Sequence, residues 1–191
     1  MRCGLVLAAG AGTRFGGDGS KLLAELDGRP LLEHAVRAQT AVTGLERVVV
    51  VLGAGADVIQ SAVDFARAET VVCADWEDGQ AASLRCGVAA LAGADRVIVT
   101  LGDQPGVTPD LIERFLDAAP ASRATYGGRP GHPVVLGAEQ LAAVAELRGD
   151  AGARSLLRGG TQIECTDLTD GRDVDTLEDL EAIRREARAV V

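Results

Sequence analysis

Lysine is almost absent from this chain. Among its 19 basic side chains only Lys21 is a lysine, and all the others are arginine. A compact ammonium kept where arginine is otherwise the rule marks a position at which the two cations are not interchangeable. Codon bias is the plainer explanation for a single residue. Basic runs are missing too: Lys plus Arg number 19 against 28 for Asp plus Glu, a net charge of −9. That argues against nucleic acid as a partner and leaves room for a small anion at a local site. The four cysteines, Cys3, Cys73, Cys86 and Cys165, form no C-x-x-C pair, which argues against a zinc knuckle, a redox dithiol or a secreted disulfide framework. Cys3, Cys73 and Cys86 lie in or beside apolar stretches and read as small core residues. No apolar run approaches the roughly 20 residues of a membrane span, and Met1-Arg2-Cys3-Gly4 enters a short strand without the pattern of a signal peptide. A cytoplasmic protein with no membrane contact is expected.

What is present is an ordinary globular composition. In 191 residues, 47% are hydrophobic and 25% charged, enough for one domain with a real core. Gly4–Ala8, Arg47–Leu52, Thr70–Cys73 and Arg96–Leu101 are nearly continuous apolar runs, as in strands covered on both faces. Helical spacing lies between them at Pro30–Ala41, Ala56–Ala68 and Ala81–Leu91, and Thr108 caps a further helix. This alternation predicts a three-layer α/β/α sandwich with a mainly parallel, Rossmann-like sheet. The second half is less regular. Two short strands, Ala124–Tyr126 and Pro133–Leu136, flank a Gly/Pro-rich turn, followed by helices at Ala138–Leu147 and Ala151–Leu157 and a strand near Gln162–Cys165. Asp175 or Thr176 caps a last helix to about Ala189.

Ligands of open α/β sheets bind beyond the carboxyl ends of the strands. The loop after the first strand, Ala8 to Lys21, holds five glycines with Arg14 and Lys21. Glycines let backbone N–H groups approach phosphate oxygens, and the two cations supply charge. A P-loop is disfavoured because Lys21 is followed by Leu22 and not by a hydroxyl residue. A dinucleotide fingerprint is only loosely matched by Gly10, Gly12 and Gly16, and no acid for a ribose follows Leu52-Gly53. An NAD(P)-dependent oxidoreductase is therefore the second reading. The fourth strand ends in Leu101-Gly102-Asp103-Gln104-Pro105, where a carboxylate can bind Mg²⁺ or form a turn. Asp173-Val174-Asp175 offers a second carboxylate pair, or a helix cap.

Six segments taken together resemble one family. They are Leu7-Ala8-Ala9-Gly10 through Lys21-Leu22-Leu23, Trp76–Arg85, Leu101–Pro105, Gly131-His132-Pro133-Val134, Gly149–Arg154 and Asp173–Thr176. In this order they resemble the MobA-like nucleotidyltransferases, nearest to the molybdenum cofactor cytidylyltransferases, over practically the whole chain. The resemblance implies the nucleotide-diphospho-sugar transferase fold, in a single domain over residues 1–191. About 1–106 would bind the nucleotide and about 107–191 the acceptor. It implies transfer of CMP from CTP, or another NTP, onto a molybdopterin-type phosphorylated acceptor, with pyrophosphate released. A guanylyltransferase acting on another phosphorylated acceptor is the related alternative.

The resemblance also implies roles for residues. Leu7, Ala8, Ala9, Gly10, Gly12, Ser83 and Gly102 would contact the nucleotide, with Ser83 bearing on the base. Arg14 and Lys21 would hold the triphosphate, and with Asp103 they form the catalytic set. Asp103 and Asp175 would bind Mg²⁺, with Mn²⁺ as a substitute. His132, Asp150 and Arg154 would face the acceptor, and a molybdoenzyme or its chaperone would make transient contact. The chain departs from the family in a longer loop, Phe15–Ser20, which includes Asp18. Such chemistry relies on positioning and charge neutralisation and needs no nucleophilic Ser or Cys.

Overall fold

The computed structural model describes residues 1–16 and 20–189, so Gly17, Asp18 and Gly19 of the long loop lie outside the described residues. The chain order is β1 (Arg2–Ala8), β2 (Glu25–Leu26), β3 (Arg29–Pro30), α1 (Leu31–Ala41), β4 (Arg47–Leu52), α2 (Ala56–Ala62), β5 (Glu69–Val72), α3 (Gln80–Ala90) and β6 (Arg96–Leu101). It continues with α4 (Pro109–Glu113), β7 (Arg123–Tyr126), β8 (Arg129–Gly137), α5 (Ala138–Ala143), β9 (Gln162–Glu164) and α6 (Leu177–Ala189). Seven strands form one sheet in the order β5-β4-β1-β6-β8-β7-β9, and β2 and β3 make a separate small hairpin.

The apolar runs explain the layers. Alternate residues of the central strands point to opposite faces. Leu5, Val49, Val51, Val97 and Val99 meet Ala81, Ala82 and Leu84 of α3 on one side. On the other side, Val6, Val50 and Leu52 meet Leu32, Ala35 and Val36 of α1 together with Ile59 of α2. Val48, Ile98 and Val135 complete that second layer against Leu111 and Ile112 of α4 and the buried Phe115 beyond it. Helices on both faces are what parallel strands without polar alternation require.

β1 pairs in parallel with β4 and β6, whereas β8 joins β6 antiparallel. The reversal is local in origin. Gly127 and Gly128 both take positive φ, 58° and 76°, between the paired residues Tyr126 and Arg129. A two-residue hairpin loop with both central residues left-handed is the geometry glycine permits at no steric cost.

Three helix expectations are corrected. The helix expected to reach Ala68 ends at Ala62, because Val63 is extended and Ala66 has φ +48°. The segment expected to be helical over Ala151–Leu157 is a 3-10 turn from Ala153 to Leu157, and the one expected to reach Leu147 changes from α to 3-10 at Val144. At the last helix the hydroxyl of Thr176 accepts from Asp179 N at 3.2 Å, and Asp179 Oδ2 accepts from Thr176 N at 2.7 Å. This reciprocal pair makes Thr176 the cap. Cys3, Cys73 and Cys165 are buried and Cys86 half-buried, all as free thiols. No described helix is long and apolar enough to cross a membrane.

Candidate active site

The first and fourth parallel strands finish side by side. Leu7 is in register with Leu101, and Gly102 N donates to Leu7 O at 2.9 Å. A Cβ on Gly102 would lie 2.7 Å from Leu32 and 3.0 Å from the Ala8 side chain, so only glycine lets the two strand ends approach this closely. After Ala9 the chain opens outward. Gly10 is exposed, and Gly12 takes φ +62° with its Cβ direction 3.1 Å from the Lys21 Cβ. The glycine loop thus folds back over the lysine.

Lys21 is the hub. Its side chain is only 10% exposed, and Nζ lies 2.6 Å from Asp103 Oδ2 and 3.4 Å from Asp175 Oδ1. Arg14, largely exposed, reaches Asp175 Oδ2 at 3.0 Å. Val174 N donates to Asp103 O at 2.9 Å, which seats the Asp173–Asp175 segment against the end of β6. Gln104 Nε2 donates to Asp173 Oδ1 at 2.5 Å. Burial holds the Asp173 carboxyl above its ordinary pKa, and the charges of Asp103 and Asp175 push the same way, while the bond from Gln104 and the charge of Lys21 oppose them.

Two carboxylate oxygens therefore converge on one compact cation. Among the described residues no group of three or more His, Cys, Asp or Glu gathers as a ready metal cage. A pair of carboxylates with space for phosphate oxygens and water is nonetheless the donor set that suits a hard divalent ion. Asp103 and Asp175 fit such an ion, and Lys21 stands at the shared position.

Next to this cluster is a cavity of about 1040 Å³. Leu7, Gln104, Asp173 and Asp175 border it, and so do His132, Asp150 and Arg154, so the residues expected to face the acceptor are brought together. Burial pushes the His132 imidazole down to about 4; Arg123 acts in the same direction and Asp103 against it. The ring is neutral at pH 7. Tyr126 Oη donates to His132 O at 2.5 Å, and the tyrosine ring packs where a Cβ on Gly131 or Gly171 would stand. Ala81 N donates to Gly149 O at 3.0 Å, which ties the Gly149–Arg154 segment to the start of α3.

Some of the expected nucleotide contacts are already engaged within the protein. Ala9 O accepts from Ala54 N, and Leu7 O from Gly102 N. Ser83 is 6% exposed and does not border the cavity. Sequence reasoning missed Arg123, Arg129, Arg158 and Arg172 at the cavity and the side chain of Gln104 within it. Isolated arginines carry no motif, and Gln104 was visible only as the residue after Asp103.

Residues 4–166 match the MobA-like NTP transferase domain family. Nicotine blue oxidoreductase of Paenarthrobacter nicotinovorans is 38% identical over 93% of each chain. The 2-C-methyl-D-erythritol 4-phosphate cytidylyltransferase of Ralstonia nicotianae is also 38% identical, over 83% of this chain and 64% of that enzyme. Among solved structures, Rv0371c of Mycobacterium tuberculosis in complex with manganese superposes with a TM-score of 0.79 at 27% identity, covering 96% of this chain and 98% of the other.

Proposed function

This chain belongs to the MobA-like NTP transferase family, a family of nucleotidyltransferases, and from that premise we propose that it transfers CMP from CTP to a molybdopterin-type phosphorylated acceptor. The observation that carries the reading is the meeting of Lys21, Arg14, Asp103 and Asp175 beside a large cavity that Asp175 borders. Phosphoryl-type transfer asks for this set, positioned cations and oxygen ligands rather than a covalent nucleophile.

In this reading residues 1–106 supply the nucleotide half and 107–191 the acceptor half. The exposed backbone of Gly10 and the half-buried Gly12 approach the nucleotide, and Arg14 and Lys21 turn from the carboxylates to the triphosphate. Asp103 and Asp175 would hold Mg²⁺, or Mn²⁺, the ion of the mycobacterial complex, and that ion would supply charge neutralisation at the phosphate oxygens. An acceptor phosphate oxygen forms its bond to the α-phosphorus as the bond to the β-phosphate oxygen breaks, and pyrophosphate leaves with that electron pair. Asp150 and Arg154 orient the acceptor, and neutral His132 offers a hydrogen bond without adding charge. A molybdoenzyme or its chaperone would collect the product.

CTP is favoured over GTP by the cytidylyltransferase relative. The oxidoreductase relative supports a second reading, reduction with NAD(P)H. Against it, β4 ends at Leu52, and Gly53 beyond it is packed on Ala9 O and Trp76 with no acid to meet a ribose. Pyrophosphate release decides the matter, measured with CTP or GTP, Mg²⁺ and a molybdopterin acceptor, beside thermal shifts with CTP–Mg²⁺ and with NADPH. Release with CTP is expected. Preferential stabilisation by NADPH with no pyrophosphate would promote the oxidoreductase.

A further inference from the structure

The charges that border the cavity are unevenly engaged. Arg123, Arg129, Arg154, Arg158 and Arg172 border it, and so do five aspartates, but the two sets are not equally engaged. Asp175 is held by Arg14 and Lys21, Asp173 accepts from Gln104, and Asp170 pairs with Arg172. Asp179 is taken up by the N–H groups of Asp175 and Thr176 and by the Thr176 hydroxyl. That leaves Asp150. Arg123, Arg129, Arg154 and Arg158 make no ion pair among the described residues; Arg123 and Arg129 each donate only to a backbone carbonyl, of Arg154 and Tyr126. Four guanidiniums without an ion pair thus share the cavity with Asp150, Asp173 and Asp179, and of these carboxylates only Asp150 has no hydrogen-bond donor among the described residues.

A second observation comes from Gln104. It is 4% exposed, its Nε2 is spent on Asp173, and its buried Oε1 has no partner. Buried polar atoms without partners are rare, and one bordering a cavity suits a ligand that brings a donor.

We propose that Arg123, Arg129 and Arg158 form an oxyanion subsite, apart from the cations of the triphosphate site, and that Gln104 Oε1 accepts a hydrogen bond from the molecule bound there. The ligand class is an organic phosphate or similar oxyanion that also carries an N–H or O–H group. Guanidinium forks bind such oxyanions by paired hydrogen bonds. The inference rests on the cavity being the acceptor's place.

Inorganic phosphate is the probe, titrated calorimetrically at neutral pH without divalent metal. Wild type is expected to bind it, and Arg129→Gln/Arg158→Gln, which changes two exposed side chains, to bind at least about 10-fold more weakly. Binding that survives in the arginine variant or is missing from wild type overturns the subsite. Sulfate lacks the proton that phosphate keeps at this pH, so wild type should prefer phosphate and Gln104→Leu should lose the preference. Equal affinities in wild type overturn the role of Gln104. A parallel CTP–Mg²⁺ titration keeps the two readings apart: loss of that binding in wild type strikes the nucleotidyltransferase assignment, and the phosphate results stand or fall alone.

Discussion

Replacing Lys21 with methionine keeps the length of the side chain and removes its charge. Asp103, Asp173 and Asp175 then face one another with only the exposed Arg14 nearby. Breaking a fully buried ion pair by deleting one partner costs about 3–5 kcal/mol. Here the carboxylates of Asp103 and Asp175 are 22% and 35% exposed, so water screens part of the loss and roughly 1–2 kcal/mol is expected at pH 7. For a domain of this size that is a fall in Tm of roughly 2–8 °C. The pH dependence carries a definite sign. Burial already holds the Asp173 carboxyl above its ordinary pKa, and losing the opposing charge of Lys21 moves it further the same way, so the folded state of the variant binds more protons. The deficit against wild type is therefore full at pH 7 and shrinks as pH falls toward 4. Millimolar MnCl₂ should raise the Tm of Lys21→Met more than that of wild type, where the ion must displace the lysine. Calorimetry across pH 4–7, with and without manganese, reads all three effects. A variant as stable as wild type at pH 7, or one that gains no more from manganese, would refute the view that Lys21 neutralises this pair.

Asp103→Ala should stay folded, since the carboxylate is part-exposed beyond the end of β6, yet lose metal-dependent pyrophosphate release; retained turnover would return Asp103 to a turn residue. With the His132 pKa at about 4 in the fold against about 6.5 unfolded, its contribution to stability is present above pH 6.5 and is lost as pH falls toward 4. The loss is at most about 3 kcal/mol, reduced by water in the cavity, and denaturant titrations of His132→Gln should show a flatter profile over that window. Glu164, drawn down to about 2 by the Thr166 hydroxyl and the N–H groups of Gly127 and Gly128, pins the β7–β8 turn. Glu164→Gln should raise the KM for the acceptor more than that for the nucleotide, and an equal rise in both would remove Glu164 from that role.

The sequence spoke most clearly where a residue's neighbours in the chain decide its environment. The apolar runs of β1, β4 and β6 could be read as doubly covered strands because, past the arginine that opens each of them, Thr100 is their one polar side chain, and Lys21 stood out by scarcity. Helix ends were harder to read. Nothing in the apolar spacing of Ala56–Ala68 announces the positive φ of Ala66, and the Ala151–Leu157 stretch is too short for spacing to separate an α-helix from a 3-10 turn. The placing of β8 beside β6, with β7 outside it, follows from packing across the sheet rather than from the glycine turn itself. The candidate site was legible in part for the same reason. Lys21, Asp103 and Asp175 each had a local signal, but the distances between them did not. Ser83 looked available on an α3 whose first turns are in fact covered, and the cavity arginines come from separate elements with no shared spacing.

The bond from Val174 N to Asp103 O joins residues far apart in the chain, and Lys21 lies more distant still from Asp175. Contacts of such long sequence separation close late, after the local pieces of a domain have formed. During synthesis the glycine loop and the end of β6 emerge and can pair Lys21 with Asp103 well before the last segment exists. Asp175 arrives only with the cap of α6. The second carboxylate of the cation position is thus supplied by a segment far along the chain, and a product cut short before Asp175 would be left with half of that position, however well its central sheet had folded.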